Sequence, residues 1–313
     1  MAIYITIDGG TTNTRVSLVQ DGHVKDTIAF AIGAGNCAAQ RKTLCDVVRD
    51  GIYQLLQQNR LTVQNIKKVI ASGMITSETG LYTVDHISAP AGINNLHRSL
   101  QELVYPHIID MPIVFIPGIR IDAADYESAD MMRGEEAEVY GLPLTELANC
   151  VIILPGSHSK IIRIDENECI SDFSTLLSGE MIAALAGHTI LSQSVELNKA
   201  QLQPEWLQKG YRYTLANNIN KALFKVRILK NKYKLDQDGV YSFFIGAVLC
   251  GEIQEILRSA PQSVVIAGQS RLKQALALLL RQNSDCQIQL IEDSDARNAN
   301  ALGMVRIVEC DPE

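Results

Sequence analysis

The chain has 313 residues, 47% of them apolar, enough to bury a large core and to divide into two domains. Its net charge of −7 comes with scattered basic residues, which excludes the electrostatic footprint of a nucleic-acid binder or of a protein held to an anionic membrane. Seven cysteines without a C-x-x-C pair fit a reducing compartment rather than a disulfide frame or a zinc site. No secretory leader is visible, and no run approaches the roughly eighteen apolar residues that a membrane helix needs. The expectation is a soluble, cytoplasmic, two-lobed α/β protein.

The chain opens on residues 3–20, IYITIDGGTTNTRVSLVQ. Residues 3–7 read as an apolar strand ending in Asp8, residues 16–19 as a second strand, and the turn between them is rich in glycine and threonine. Gly9 and Gly10 can adopt positive φ to close the hairpin, and their missing side chains let backbone N–H groups and the hydroxyls of Thr11, Thr12 and Thr14 approach a ligand. That donor cluster suits phosphate. Asp8 could hold Mg²⁺ through water, because Mg²⁺ prefers a carboxylate or two plus phosphate oxygens. An ordinary hairpin with an Asx-type turn would use the same residues.

Residues 24–32 read as a third extended piece and 33–36 as a loop. Residues 41–59 have helical spacing, with Leu44, Val47, Val48, Ile52, Leu55 and Leu56 on one stripe. A short strand at 69–71 runs into Ser72-Gly73-Met74 and a polar loop with Ser77. Residues 88–92 form another loop, followed by Asn94, Asn95 and a helix around 97–104. A strand at 112–116 leads to the acidic, irregular stretch 122–132, which would suit a mobile segment over a cleft. Arg133-Gly134-Glu135-Glu136 then opens a helix over 137–142, where plain capping of the first turn is one reading of the two glutamates and a functional carboxylate the other.

Residues 150–165, CVIILPGSHSKIIRID, repeat the opening pattern of apolar run, small-residue turn and apolar strand. Two such hairpins, one per half, could grip one polyphosphate from both sides. Residues 170–175 lead into a helix that runs to about 191. Residues 195–234 read as helical. Their basic cluster (Lys221, Lys225, Arg227, Lys230, Lys232, Lys234) lacks the aromatic platform of an RNA binder and reads as a solvated face. Residues 240–257 read as one apolar helix containing Gly246 and Gly251. A strand at 263–267 ends in Gly268-Gln269-Ser270 before a helix at 272–282, an arrangement common on the nucleotide side of α/β sheets. A strand at 287–291 and a small-residue helix at 296–307 complete the chain.

This order of hairpin, helical insertion, small-residue helix, second hairpin and strand-Gly-x-Ser-helix resembles the acetate and sugar kinase, heat-shock cognate 70 and actin superfamily. In that superfamily two ribonuclease-H-like lobes close over ATP. Residues 8–15 look like its first phosphate motif, 156–160 like its second and 265–270 like its adenosine motif, while 136–142 and 296–303 look like its two crossing helices. More narrowly, the whole chain resembles 2-dehydro-3-deoxygalactonokinases. The matching stretches are DGGTTNTR (8–15), SGMITS (72–77), SAPAG (88–92), IPG (116–118), MRGEE (132–136), LPGSHSK (154–160) and DFSTLLSGE (172–180). MRGEE and PG-[ST]-H-x-K are the specific ones; DGGTTNTR fits many kinases of the superfamily. Family members often have an aromatic where Gly9 stands and threonine where Ser157 stands; the first change could reshape the turn, and the second keeps the hydroxyl.

The resemblance implies an actin-like ATPase fold of two ribonuclease-H-like lobes with a central ATP cleft. The first lobe would span 1–136, the second 137–295, and the C-terminal helix 296–313 would pack back on the first. The implied reaction is ATP-dependent phosphorylation of 2-dehydro-3-deoxy-D-galactonate at its 6-hydroxyl, with Mg²⁺. Such a transfer needs in-line positioning, charge neutralisation and a base beside the alcohol. Asp8 is assigned to the Mg²⁺ shell, and Gly10, Thr11, Thr12, Asn13, Gly156, Ser157 and Ser159 to the phosphates. Lys160 would be a point-charge partner, Arg15 would fix Asp8 or touch phosphate, and His158 would be a positioned turn residue. Gly268 and Ser270 fall on the adenosine side.

Glu136 is the expected base, because sugar kinases of this superfamily often carry a carboxylate where this helix begins; Glu135 and Asp172 are the alternatives. Arg133 would pair a substrate carboxylate bidentately. Gly73, Met74, Ser77, Pro90, Asn94 and Asn95 would line the sugar pocket. The expected partners are ATP and a small sugar acid, with no nucleic acid and no membrane; assembly into a homo-oligomer is left open. Rival readings are a kinase of another small sugar acid or polyol, a nucleotide-gated ATPase module, and a phosphohydrolase of the same fold.

Overall fold

A computed structural model describes residues 2–35, 43–198, 200–268 and 271–311. The chain divides into two compact units, one of Met1–Ala148, Ile164–Asp172 and Ser294–Glu313, the other of Asn149–Arg163 and Phe173–Asp293. The sequence placed its first lobe at 1–136 and its second at 137–295. The first unit holds the C-terminal helix, as the sequence placed it, but continues to Ala148 and also takes in the 164–172 segment.

The first unit is built on strands β1 (Ile3–Gly9), β2 (Thr14–Gln20), β3 (His23–Phe30) and β4 (Lys68–Gly73). Beyond β5 (Ile87–Ser88), strands β6 (Gln101–Tyr105) and β7 (Ile109–Phe115) complete a sheet ordered β3-β2-β1-β4-β7-β6. β1 and β2 pair antiparallel as expected, and β4 and β7 run parallel to β1. Strands β8 (Ile119–Ile121) and β9 (Asp130–Met132) form a small second sheet with β5. In the second unit β10 (Val151–Leu154), β11 (Ser159–Ile164), β12 (Ile170–Leu176), β13 (Ser263–Ile266) and β14 (Gln287–Leu290) are ordered β12-β11-β10-β13-β14. Here too the first strand of an antiparallel hairpin is followed, on its other side, by two parallel strands. The repeat seen in the sequence is therefore a repeat of sheet topology.

The helices are α1 (Leu44–Gln58), α2 (Ile93–Arg98), α3 (Glu135–Gly141), α4 (Ser178–His188), α5 (Pro204–Ala216), α6 (Ile219–Asn231), α7 (Gln237–Val248), α8 (Cys250–Arg258), α9 (Leu272–Asn283) and α10 (Asp293–Val308). α1 starts at a Thr43–Asp46 capping box, and its predicted apolar stripe is buried against β1, β2 and β4 in the first core. The second core gathers α5, α7, α8 and α9 on β10, β11 and β13.

Four expectations change. The helix expected at 97–104 ends at Arg98, and Leu103 pairs with Ile113 in the β6–β7 ladder, where its β-rich neighbours are better placed. The irregular stretch 122–132 ends in β9, paired with β8. Residues 195–234 hold two helices, α5 and α6, separated at Asn217–Asn218. The apolar run 240–257 is bent by 41° between α7 and α8, with Gly251 just after the break. No single helix among the described residues is long and apolar enough to cross a membrane.

Candidate active site

Three glycines bring the functional groups of the first unit together. β1 and β4 are in register so that Asp8 lies beside Ser72 and Gly9 beside Gly73. A Cβ on Gly9 would stand 2.6 Å from that of Ile75, and one on Gly73 would stand 2.6 Å from the Gly9 carbonyl oxygen. Close approach is therefore what Gly9 supplies. Neither Gly9 nor Gly10 has the positive φ expected of it; the left-handed glycines here are Gly73 (φ +86°) and Gly134 (φ +110°). A Cβ on Gly134 would lie 3.1 Å from the Gly73 Cα, so α3 begins directly against the end of β4.

That contact sets Glu136. Its side chain is fully buried, and both carboxylate oxygens accept from the Gly134 N–H at 2.8 Å. The Ser72 hydroxyl donates to one of them at 3.3 Å. Burial, then the neighbouring Glu135, push the Glu136 carboxyl up to about 8 against the pull of the backbone donors and Arg133. Glu138 is likewise raised to about 8, first by burial and then by Glu135 and Asp8. Asp8 keeps 28% of its side chain exposed and pairs with Arg15 at 3.3 Å. Burial raises its pKa, Arg15 opposes the shift, and Glu135 adds to it. Three carboxyls displaced upward around one helix start is the electrostatic pattern of a functional site.

The same corner holds α3 in place from behind. α3 and α10 cross so closely that a Cβ on Gly141 would collide with the Ala299 carbonyl, and one on Gly303 with the Ala137 carbonyl. Asn300 of α10 donates to the Gly134 carbonyl at 3.0 Å, and its own carbonyl oxygen is buried without a hydrogen-bond partner. Arg306 donates to the Tyr140 and Leu142 carbonyls at the helix's far end.

Around the first hairpin, Thr11, Thr12 and Asn13 are exposed. The Gly10 N–H donates to the Asn13 carbonyl, and the Gly10 and Thr11 carbonyls accept from Ala34 and Gly35. Thr14 is buried and donates to the Ile32 carbonyl. Met74 and Ser77 follow Gly73 in a short turn, where the Ser77 hydroxyl donates to the Met74 carbonyl. Arg133 faces that turn. Its guanidinium donates to the Thr76 carbonyl (2.6 Å) and hydroxyl (2.5 Å), to the Val84 carbonyl (2.9 Å) and to His86 Nδ1 (3.1 Å). Burial, then Arg133 and Arg120, depress His86 to about 4, so its ring is neutral and can accept.

Other predicted contacts lie elsewhere. Pro90 is exposed after a cis Ala89–Pro90 bond. Asn95 caps α2 through the Gly92 N–H, and Asn94 accepts from the Cys310 thiol. Both asparagines line a cavity of about 450 Å³ with Tyr140, Cys169 and Arg306, at the opposite end of α3 from Glu136. Asp172 lies on β12 at the sheet edge, in the segment grouped with the first unit.

In the second unit the turn after β10 is tightly buttressed. A Cβ on Gly179 would collide with the Gly156 carbonyl, and the Glu180 N–H donates to the Ser157 carbonyl at 3.1 Å, so α4 begins against the turn. Ser157 and His158 are exposed, with His158 3.1 Å from the Glu180 carboxylate. Ser159 and Lys160 are buried instead, and Lys160 donates to the Thr175 hydroxyl at 2.6 Å. Gly268, in a left-handed conformation (φ +82°), lies near Pro155, so the end of the strand that carries the predicted adenosine motif comes beside the phosphate turn at the carboxyl ends of parallel strands. Ser270 lies outside the described residues.

Sequence reasoning missed Ser72, Glu138 and Asn300. Glu138 was within reach, since it sits one helical turn from Glu135. Nothing in the sequence marked Asn300 as the donor to Gly134. Among the described residues no group of three or more His, Cys, Asp or Glu side chains is arranged to hold a metal.

The model of the family described as 2-keto-3-deoxy-galactonokinase matches residues 8–307. The chain is 25% identical over 256 residues to the 2-dehydro-3-deoxygalactonokinase of Escherichia coli (strain K12), covering 80% of each chain. A crystal structure of a Sinorhizobium meliloti protein that carries the same kinase name provisionally superposes with a TM-score of 0.80 at 21% identity, covering 98% of this chain and all of the other. The activator of the 2-hydroxyisocaproyl-CoA dehydratase from Clostridium difficile, solved with bound ADPNP, matches at TM-score 0.53 and 12% identity over 98% of this chain and 95% of that one. The two solved structures share this chain's fold, the actin-like ATPase fold that the motifs implied.

Proposed function

The chain belongs to the 2-keto-3-deoxy-galactonokinase family, and we propose from that membership that it phosphorylates the 6-hydroxyl of 2-dehydro-3-deoxy-D-galactonate with ATP. The observation that carries the reading is the junction of Asp8, Gly73, Gly134 and Glu136, where motifs from three parts of the matched region meet.

In this reading the acceptor oxygen forms a bond to the γ-phosphorus as the bond to the β,γ-bridging oxygen breaks, releasing ADP. The hydroxyl proton passes to Glu136. A base works best with a pKa near the operating pH, and the displacement of Glu136 to about 8 supports that role over an ordinary carboxylate. Glu135 raises the affinity of Glu136 for the proton and is the alternative base. Asp8 would hold Mg²⁺, which when bound neutralises charge on the phosphate oxygens. A single strand-end carboxylate fits a metal that takes its remaining ligands from phosphate and water.

Exposed Thr11, Thr12 and Asn13 of the first hairpin, and half-buried Gly156 and exposed Ser157 of the second, are the phosphate contacts we assign. Lys160 and Ser159 act from beneath their turn, and Gly268 approaches the adenosine. Four of the five guanidinium N–H groups of Arg133 already serve Thr76, Val84 and His86, so Arg133 shapes the Gly73–Ser77 wall and offers the acid one remaining donor.

Release of ADP, measured by a coupled assay across a panel of sugar acids, tests the function. Rapid release with one 2-keto-3-deoxy acid is the expected result. Slow hydrolysis that ignores the sugar would replace the kinase with a nucleotide-gated ATPase.

A further inference from the structure

Beneath the second phosphate turn lies a carboxyl group that the mechanism above does not use. Glu252, on α8, is 1% exposed, and neither of its carboxylate oxygens has a well-formed hydrogen-bond partner. The hydroxyl of Ser159 is also fully buried and without a partner. Yet Ser178 and Ser159 lie close enough to Glu252 for their hydroxyls to moderate its acidity. These serines stand on the two sides of the turn. Ser159 is the first residue of the strand that leaves it, and Ser178 opens the helix whose Gly179 and Glu180 buttress it.

The face of the sheet is fixed independently. Alternate residues of a strand point to opposite sides, so Ser159 shares its side with Ile161. Ile161 packs in the core with Ile253 and Ile256 of α8. Lys160 points to the other side, towards Thr175, so it is not the counter-ion of Glu252. A charged carboxylate buried here would be uncompensated and would repel an anion on the turn above it. Burial does push the Glu252 carboxyl upward, with the two serines opposing the shift.

We propose that Glu252 is a positioning residue for the Gly156–Ser157 turn, a neutral carboxyl that shares its proton with the Ser159 and Ser178 hydroxyls and so ties both sides of the turn together for ATP. The inference rests on the kinase reading. A carboxamide, like a neutral carboxyl, offers both a donor and an acceptor, whereas an alkyl group offers neither. The test compares wild type with Glu252→Gln, Glu252→Leu and Ser178→Ala. The readouts are calorimetric binding of a non-hydrolysable ATP analogue with Mg²⁺, the separate KM values for ATP and for the sugar acid, and thermal unfolding.

Glu252→Gln should stay within about threefold of wild type in ATP-analogue affinity. Glu252→Leu should lose about tenfold or more, in the KM for ATP and not in that for the sugar acid, with an unfolding midpoint no lower than that of wild type. Ser178→Ala should weaken ATP binding several-fold in wild type and add nothing in Glu252→Leu. If Glu252→Leu does not fold, the first and third variants decide the matter between them. A Gln variant as impaired as Leu, or a Ser178→Ala protein with unaltered ATP affinity, overturns the proposal while the kinase reading stands. A wild-type protein that binds no ATP analogue removes both.

Discussion

Replacing Glu136 by glutamine separates its acid–base role from its structural one. The wild-type carboxyl titrates near 8 in the folded protein against an ordinary 4.5, and it is completely buried. Between those values the folded state holds a proton that the unfolded state has lost. The stability this proton contributes is fully present below about pH 4.5 and is lost as pH rises through 8. The slope is about 1.4 kcal/mol per pH unit, or on the order of 4 kcal/mol between pH 5 and pH 8. Glutamine keeps the shape and cannot ionise, so the variant should lack that component and gain on wild type as pH rises. Urea unfolding of both proteins at several pH values reads the difference directly. Identical slopes would mean that Glu136 is not the displaced group. Turnover should move the other way, falling in the variant by about 10²–10⁴-fold while ATP binding persists. In wild type, kcat/KM should rise about tenfold between pH 7 and pH 9 as the base ionises. A Gln variant with wild-type turnover would transfer the role to Glu135.

Asp8→Asn should raise the Mg²⁺ concentration needed for half-maximal rate by about 10–100-fold, the scale of losing an outer-shell ligand; an unchanged metal titration would remove Asp8 from the metal site. Gly303→Ala should cost about 1–3 kcal/mol in chemical unfolding, because the added methyl meets the backbone of α3 and cannot turn aside. Gly187→Ala in α4 meets open space and should instead stabilise by about 0.4–1 kcal/mol, so equal effects at the two glycines would refute the helix-crossing argument. Arg133→Lys loses the fork that spans Thr76, Val84 and His86, and should raise the sugar-acid KM more than the ATP KM; a selective rise in the ATP KM would place Arg133 on the nucleotide.

The sequence displayed those features that local rules determine. The two hairpins, the α1 stripe and the strand before Gly268 follow from alternation and helical period, and they appear as β1–β2, α1, β10–β11 and β13. What failed was decided by partners distant in the chain. Leu103 and its neighbours have helical company in sequence, but the ladder with β7 makes them a strand. Gly9 looked like a turn glycine, and its reason is the side chain of Ile75.

The candidate site divides along the same line. Asp8 and Glu136 could be named from motifs, since the strand end and the helix start place them. The protonation of Glu136 could not, because it arises when Gly73 and Gly134 meet and close the corner to water. Glu252 sits between these cases. Its spacing from Leu249, Ile253 and Ile256 already puts it on the buried face of an apolar helix, where a lone carboxylate costs several kcal/mol unless paired or neutral. The sequence therefore marks the position as anomalous, and the structure supplies the cause by setting beside it two serines that flank the phosphate turn. A buried charge-bearing residue on an otherwise apolar stripe is thus the signal through which the support of a binding turn, as distinct from the turn itself, becomes readable in sequence.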